Sequence, residues 1–278
     1  MNQHFNKGLI LTSLGSFWWG FIGVIYFQYV SFIGPIELVV HRCIWTAVML
    51  ILTTTFLSRW KIFFKIILIK RNLIALFFSG FLIFINWAVW IYAVATERII
   101  DASFGYFIMP IISVFLGYIF FKENLNKKRI FSILLVLISI LILIFFNLKN
   151  LPWVGLVVAL SWSFYNLIRK KINIDTDIGL LIESLYILPF ILIVFYLIII
   201  NGFNDFNLSS PGLSMFLILA GPMTVIPLFL YVRGVELIGL GPTGMIFYIT
   251  PTLQFILGYF YYNEAFSIIK FVSFIIIW

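Results

Sequence analysis

A few ionisable residues set in apolar stretches are the groups that could do chemistry. Glu37, His41 and Trp45 recur at i, i+4 and i+8. That spacing places them on one face of a helix, with Arg42 turned about 100° away from His41. If this polar stripe faces a central cavity, His41 could carry a proton near neutral pH and Arg42 could hold an anionic group. If this end of the helix is only a turn or two deep, Glu37 and Arg42 snorkel to an interface instead. Glu183 lies about five residues into another apolar stretch, with no cation within a turn on its own helix. Such a carboxylate can take up a proton on one side of a barrier and release it on the other. Alternatively, it is a buried, hydrogen-bonded acid that pins packing.

A second set of residues suits binding rather than proton transfer. Asn86, Trp87 and Trp90 cluster, Tyr106 precedes Pro110, and Thr250 and Gln254 stand one turn apart. Trp19 is mid-stretch, and Tyr165 lies a turn from Ser161. A pocket lined by aromatic rings with a few amides fits an amphipathic small molecule. Aromatic residues make up 20% of the chain, so packing alone explains any single one of them equally well. Pro110 and Pro251 each remove a helix hydrogen bond, which predicts a broken helix in each half of the chain, or a kink held by packing. Pro222 and Pro227 mark a further bend, and Thr12, Ser16 and Gly20 form a small-residue face for close helix approach.

The elements that position these groups follow from composition. Of 278 residues, 63% are hydrophobic and 10% charged, with a mean hydropathy of +1.15. Soluble domains carry about 25% charged residues, so a soluble enzyme, a disordered chain and a secreted disulfide scaffold are all excluded. The single cysteine, Cys43, makes no internal disulfide. Apolar stretches long enough to cross a bilayer predict ten spans, near 8–28, 36–57, 72–95, 102–121, 130–147, 152–168, 178–200, 212–232, 242–262 and 266–278. With the N-terminus inside, fourteen of the 18 Lys and Arg fall in inner loops, including Arg59 to Arg71, Lys122 to Arg129 and Arg169 to Lys171. Only Arg98 and Lys149 fall in outer loops, and Arg42 and Lys270 lie within spans. This asymmetry is the positive-inside pattern, and it assigns the net charge of +8 to a membrane face rather than to nucleic acid. The basic stretch Ser58–Arg71 reads as an inner loop in the headgroup region, with a lipid- or partner-binding amphipathic helix as the less favoured alternative.

The chain also matches itself. PIISVFLGYIFFKE at 110–123 aligns with PTLQFILGYFYYNE at 251–264 at a constant offset of 141, sharing Pro, Leu, Gly, Tyr and Glu. The offset pairs Arg129 with Lys270 and predicts that the tenth span is truncated at Trp278. Five spans per half is an odd number, so the second half must insert upside down. The fold expected is an all-α integral membrane protein of ten helices, as two inverted five-helix repeats, 1–148 and 149–278. Inverted repeats place a site near the midplane between halves that rock against each other.

The segments Glu37–Trp45, Asn86-Trp87, Ala102–Pro110, Leu160–Lys170, Gly179–Glu183, Leu219–Pro222 and Tyr248–Phe255 together resemble the RarD group of EamA-type permeases in the drug/metabolite transporter superfamily. The resemblance runs from the first span to the last. It implies a ten-helix inner-membrane carrier with both termini cytoplasmic, moving a small organic metabolite or drug, and analogy favours export. The expected site residues are Arg42, His41, Asn86, Trp87, Tyr106, Gln254, Trp19 and Tyr165 for substrate, with Glu183, Glu37, Pro110 and Pro251 for coupling or gating. No cofactor or metal is expected. Without a G-x-x-x-x-G-K-[ST] loop to bind ATP, energy would come from an ion gradient, protons first, or from the substrate's own gradient. The expected partners are a small-molecule substrate and the lipid bilayer, with no nucleic acid and with oligomeric state open, a homodimer included. An uptake carrier of the same fold is the alternative. A channel or an intramembrane enzyme is less favoured, because no nucleophile–base pair or metal-ligand motif is visible.

Overall fold

A computed structural model describes residues 2–122, 127–146, 152–207, 209–238, 243 and 246–277. Every regular element among the described residues is helical. Helix α1 (Asn2–Phe17) passes through a π-helical turn, Trp18–Ile22, into α2 (Gly23–Tyr29). Gly34, at φ 94°, turns the chain into α3 (Pro35–Phe56), which opens on a proline where the missing N–H costs nothing. A short α4 (Trp60–Ile67) buries Phe63 and Ile66 and exposes Lys61 and Lys65. Then come α5 (Lys70–Ala95), α6 (Ile99–Phe121), α7 (Lys127–Phe146), α8 (Trp153–Ile172) and α9 (Thr176–Ile200). They are followed by α10 (Pro211–Ile218), α11 (Ala220–Ile238), α12 (Ile249–Ile256) with a second π-helical turn at Leu257–Tyr261, and α13 (Ile268–Ile277).

Six stretches among the described residues are long and apolar enough to cross a membrane: Gln3–Tyr29, Pro35–Phe56, Lys70–Ala95, Ile99–Phe121, Thr176–Ile200 and Pro211–Gly234. Their outward faces carry large apolar side chains, among them Phe77, Phe78, Phe81, Phe190, Ile193 and Leu197. The interior instead holds Thr46, Asn86, Ser163 and Glu183 out of contact with solvent. An apolar exterior of that extent is unstable in water, and helices satisfy their backbone polar groups internally, as hydrocarbon requires. The chain is an integral, multi-pass membrane protein embedded in the lipid bilayer.

The main helix pairings are α1 with α11, α5 with α8, α6 with α8, α3 with α9, α3 with α11 and α5 with α9. Further pairings join α7 to α13, α6 to α12, and α12 to the Trp18–Ile22 turn. The small-residue face of α1 lies in these contacts, with Thr12 and Ser16 fully buried. Gly20 is required at its crossing, since a Cβ there would lie 2.8 Å from the Thr250 carbonyl oxygen. The Thr250 hydroxyl donates to the Ser16 carbonyl at 2.9 Å, tying α12 to α1.

The matched prolines behave differently. Helix α6 runs unbroken through Pro110, and the Ser163 hydroxyl on α8 donates to the adjacent Met109 carbonyl at 3.2 Å. In the second half the helix is interrupted at Tyr248, and Pro251 is the third residue of α12. N–H groups in a first turn lack intrahelical partners, so a proline there breaks nothing. Of the breaks predicted from the two prolines, none lies at Pro110, and the interruption in the second half lies three residues before Pro251. Glu123, Lys149 and Trp278 lie outside the described residues, as does the side chain of Arg129.

Candidate functional site

A cavity of about 260 Å³ lies among the helices. Each wall is a helical stripe. Helix α5 presents Ile83, Asn86, Trp87 and Trp90, and α8 presents Trp162, Tyr165, Asn166 and Arg169, both at the i, i+3, i+4, i+7 spacing of a single face. Helix α11 adds Met223, Thr224, Leu228, Tyr231 and Val232, and α9 adds Thr176 and Leu180. The π-helical turn and α2 contribute Trp19, Gly23 and Phe27, α3 contributes Arg42, and α6 contributes Tyr106. Phe247, Thr250 and Gln254 complete the lining. At one end Asn166, Arg169, Thr176 and Val232 are partly exposed, while at the other Phe27, Arg42 and Trp90 are buried. The cavity therefore opens toward the end of α8 that carries Arg169, Lys170 and Lys171.

Arg42 sits in an aromatic box. Its guanidinium carbon is 4.8 Å from the Trp87 ring centroid, 5.1 Å from Phe27 and 5.4 Å from Trp90. Contacts of this kind contribute about 0.5–2 kcal/mol each, most where water is excluded. They cannot accept the guanidinium hydrogens in the plane of the group, and Nε and Nη1 are buried with no hydrogen-bond partner among the described residues. The indole N–H of Trp90 and Oε1 of Gln254 are likewise buried and unpartnered.

Asn86 is spent on structure. Its amide nitrogen donates to the Val158 carbonyl at 3.0 Å and to the Ser161 hydroxyl at 3.1 Å, and its oxygen accepts from the Tyr106 hydroxyl at 3.2 Å. One side chain thus joins α5, α8 and α6 in the cavity wall. Tyr106 stands edge-on to Trp162 and Phe247, and Trp19 leans on Tyr231 and Phe247.

Glu183 lies one side chain behind the wall, with no exposed surface. Its carboxylate accepts from the Ser79 hydroxyl at 2.5 Å and the Tyr165 hydroxyl at 3.3 Å, and pairs with Arg169 at 3.5 Å. Tyr165 and Arg169 both line the cavity. Gly80 lets α5 approach closely here, since a Cβ would lie 3.2 Å from the Glu183 carbonyl oxygen. Arg169 also donates to the carbonyls of Ile174, Asp175 and Thr176, closing the turn between α8 and α9.

The stripe Glu37–His41–Trp45 faces away from this cavity. His41 is flanked by Phe195 and Phe206, with ring centroids 5.3 and 5.1 Å away. Its Nδ1 accepts from the Trp45 indole at 3.3 Å, and its Nε2 lies 3.4 Å from Glu37. Glu37 accepts the backbone N–H of Asp205 at 3.0 Å, anchoring the loop after α9. Arg42, one residue on from His41, is what α3 turns inward. Of the expected residues, Arg42, Asn86, Trp87, Tyr106, Gln254, Trp19 and Tyr165 meet at the cavity, whereas His41, Glu37, Pro110 and Pro251 do not line it. Arg169, Ser79 and Trp162 escaped the sequence reading. The four-residue step from Tyr165 to Arg169 could have found one of them, because it extends the same helical face.

The EamA-like transporter family matches residues 6–145. The chain is 33% identical to "Uncharacterized transporter YojE" of Bacillus subtilis over 275 residues, covering 98% of this chain and 91% of that protein. It is 32% identical to an "Uncharacterized transporter" of Vibrio cholerae, over 99% and 91% of the two chains. It is 30% identical to "Protein RarD" of Escherichia coli, over 98% and 91%. These relatives are named as transporters or as RarD, not as enzymes. With the helical membrane fold and the family match over half the chain, this protein belongs to the EamA-like transporter family.

Proposed function

We propose that this chain is a secondary carrier that moves a small organic metabolite or drug across the inner membrane by alternating access, with export as its direction. The observation that carries this reading is the 260 Å³ cavity, walled by aromatic rings, one buried cation and a few polar groups. A hole through the protein would be wet at both ends, whereas this cavity is partly exposed at one end and buried at the other.

Two five-helix halves of opposite orientation are supported by the helix pairings. Exchanging the halves carries α1–α11 onto α8–α5, and α3–α11 onto α9–α5. It carries α6–α8 onto the contact between α12 and the Trp18–Ile22 turn, and leaves α3–α9, α6–α12 and α7–α13 mapped onto themselves. The charge asymmetry of the loops supports an inner N-terminus. On that topology the cavity faces the cytoplasm and the outer end is latched. There the Glu264 carboxylate accepts the backbone N–H groups of Ile99 and Ile100 at 2.5 and 2.8 Å. Lys270 reaches Asp101 at 2.8 Å, and Arg98 holds the same side chain at 2.9 Å. Outward opening would break these contacts. Glu183, joined to the cavity through Arg169 and Tyr165, is the coupling residue in this reading, with protons as the coupled ion.

The test compares metabolites inside and outside cells that express the wild-type chain, the Glu183→Gln variant or neither. A compound enriched in the medium only with the wild type supports export, and one enriched inside supports uptake. Three matching profiles overturn the carrier reading.

A further inference from the structure

We infer that the cavity selects an organic monoanion with an aromatic-sized apolar body and a second, neutral polar group. This inference rests on the carrier reading and names its substrate class.

The argument is a balance of charge and hydrogen bonds. Arg42 and Arg169 are the charged residues in the described lining. Arg169 is compensated, since Glu183 stands behind it at 3.5 Å. Arg42 is not: it is only 7% exposed, its Nε and Nη1 have no partner, and its immediate surroundings are the three rings of Phe27, Trp87 and Trp90. A guanidinium stays charged in a protein, and a buried charge calls for a counter-ion. The lining of the cavity thus carries one positive charge in excess. One carboxylate cancels it and can accept the free guanidinium hydrogens in the charge-assisted geometry that such pairs favour. The unpartnered Trp90 N–H, beside the same guanidinium, adds a further donor to that end. A cation would double the excess, and a dianion would leave one charge over.

The remaining lining sets the rest of the molecule. Trp19, Trp162, Tyr231 and Phe247 present apolar surface to a flat or branched body. Gln254, carried by α12, offers its unpartnered Oε1 to a hydroxyl or amide hydrogen. The amide of Asn86 is unavailable, because its donors and its acceptor are already engaged.

The test uses the full chain in lipid nanodiscs and three probes that share one body: 4-hydroxyphenylacetate, its methyl ester, and tyramine. Calorimetry is expected to find the acid bound at least about tenfold more tightly than the ester or the amine. Arg42→Gln is expected to bring the acid down to the affinity of the ester. The wild-type comparison stands even if that variant does not fold. An ester or amine that binds as tightly as the acid overturns the inference, as does an acid that does not bind. The metabolite comparison separates the two readings: a wild-type-dependent compound that is neutral or cationic upholds the carrier and overturns the monoanion, whereas no such compound overturns the carrier itself.

Discussion

Arg169 Nη1 stands 3.5 Å from Glu183 Oε1, joining α8 to α9 through an ion pair whose carboxylate has no exposed surface. The arginine also lines the cavity. A change of charge in the cavity is therefore felt by a carboxylate that does not itself line it, in a region where burial strengthens such coupling.

Glu183→Gln is expected to leave the protein folded in the membrane while abolishing coupled transport. The amide can still accept from Ser79 but carries no proton across. Flux into liposomes under an imposed pH gradient checks this, and wild-type turnover would remove the coupling role. Arg169→Met leaves the carboxylate buried and uncompensated, at a cost of about 3–5 kcal/mol. The double variant with Glu183→Gln should recover most of that loss in thermal unfolding.

Arg42→Ala is expected to raise the apparent KM for an anionic or zwitterionic substrate by about tenfold or more, because a charge-assisted hydrogen bond contributes about 1.5–3 kcal/mol. An unchanged KM would remove Arg42 from the site.

Asn86→Leu removes all three hydrogen bonds of the α5–α8–α6 junction and leaves their partners buried. The expected loss is about 1–3 kcal/mol. Tyr106→Phe removes a single bond and should cost about 1 kcal/mol. Thermal stability in detergent separates the two, and equal losses would contradict the geometry.

Gly20→Val drives a branched side chain into the Thr250 backbone at the α1–α12 crossing. Overpacking of this kind costs about 1–3 kcal/mol. Helix proximity can be read by crosslinking cysteines placed on the two helices, and unchanged crosslinking with unchanged stability would refute the close approach.

Burial pushes the Glu264 carboxyl above the ordinary glutamate range, against the pull of the two backbone N–H groups that it accepts. A raised carboxyl contributes stability below its unfolded value, about pH 4.3, and loses it as pH rises through the folded value. Wild-type stability is expected to fall over that window, and Glu264→Gln should flatten the profile. Parallel curves for the two proteins would count against it.

The sequence by itself determined the class of this protein. Its composition excluded water as the solvent, and its motifs carried the family resemblance. It also grouped residues correctly within helices: the spacing of Asn86, Trp87 and Trp90 does describe one face, and that face lines the cavity. Spacing sets only the relative direction of side chains on one helix. It placed Glu37, His41 and Trp45 together and Arg42 apart, but which of the two directions points inward was decided by α9 and α11 packing against α3. An apolar helix in lipid offers no polar face to reveal that direction in advance. For the same reason the partner of Glu183 lay beyond reach. Arg169 reads locally as one of three basic residues closing a helix, and only the packing of α8 and α9 against the same helix, α5, brings a glutamate fourteen positions later within 3.5 Å of it.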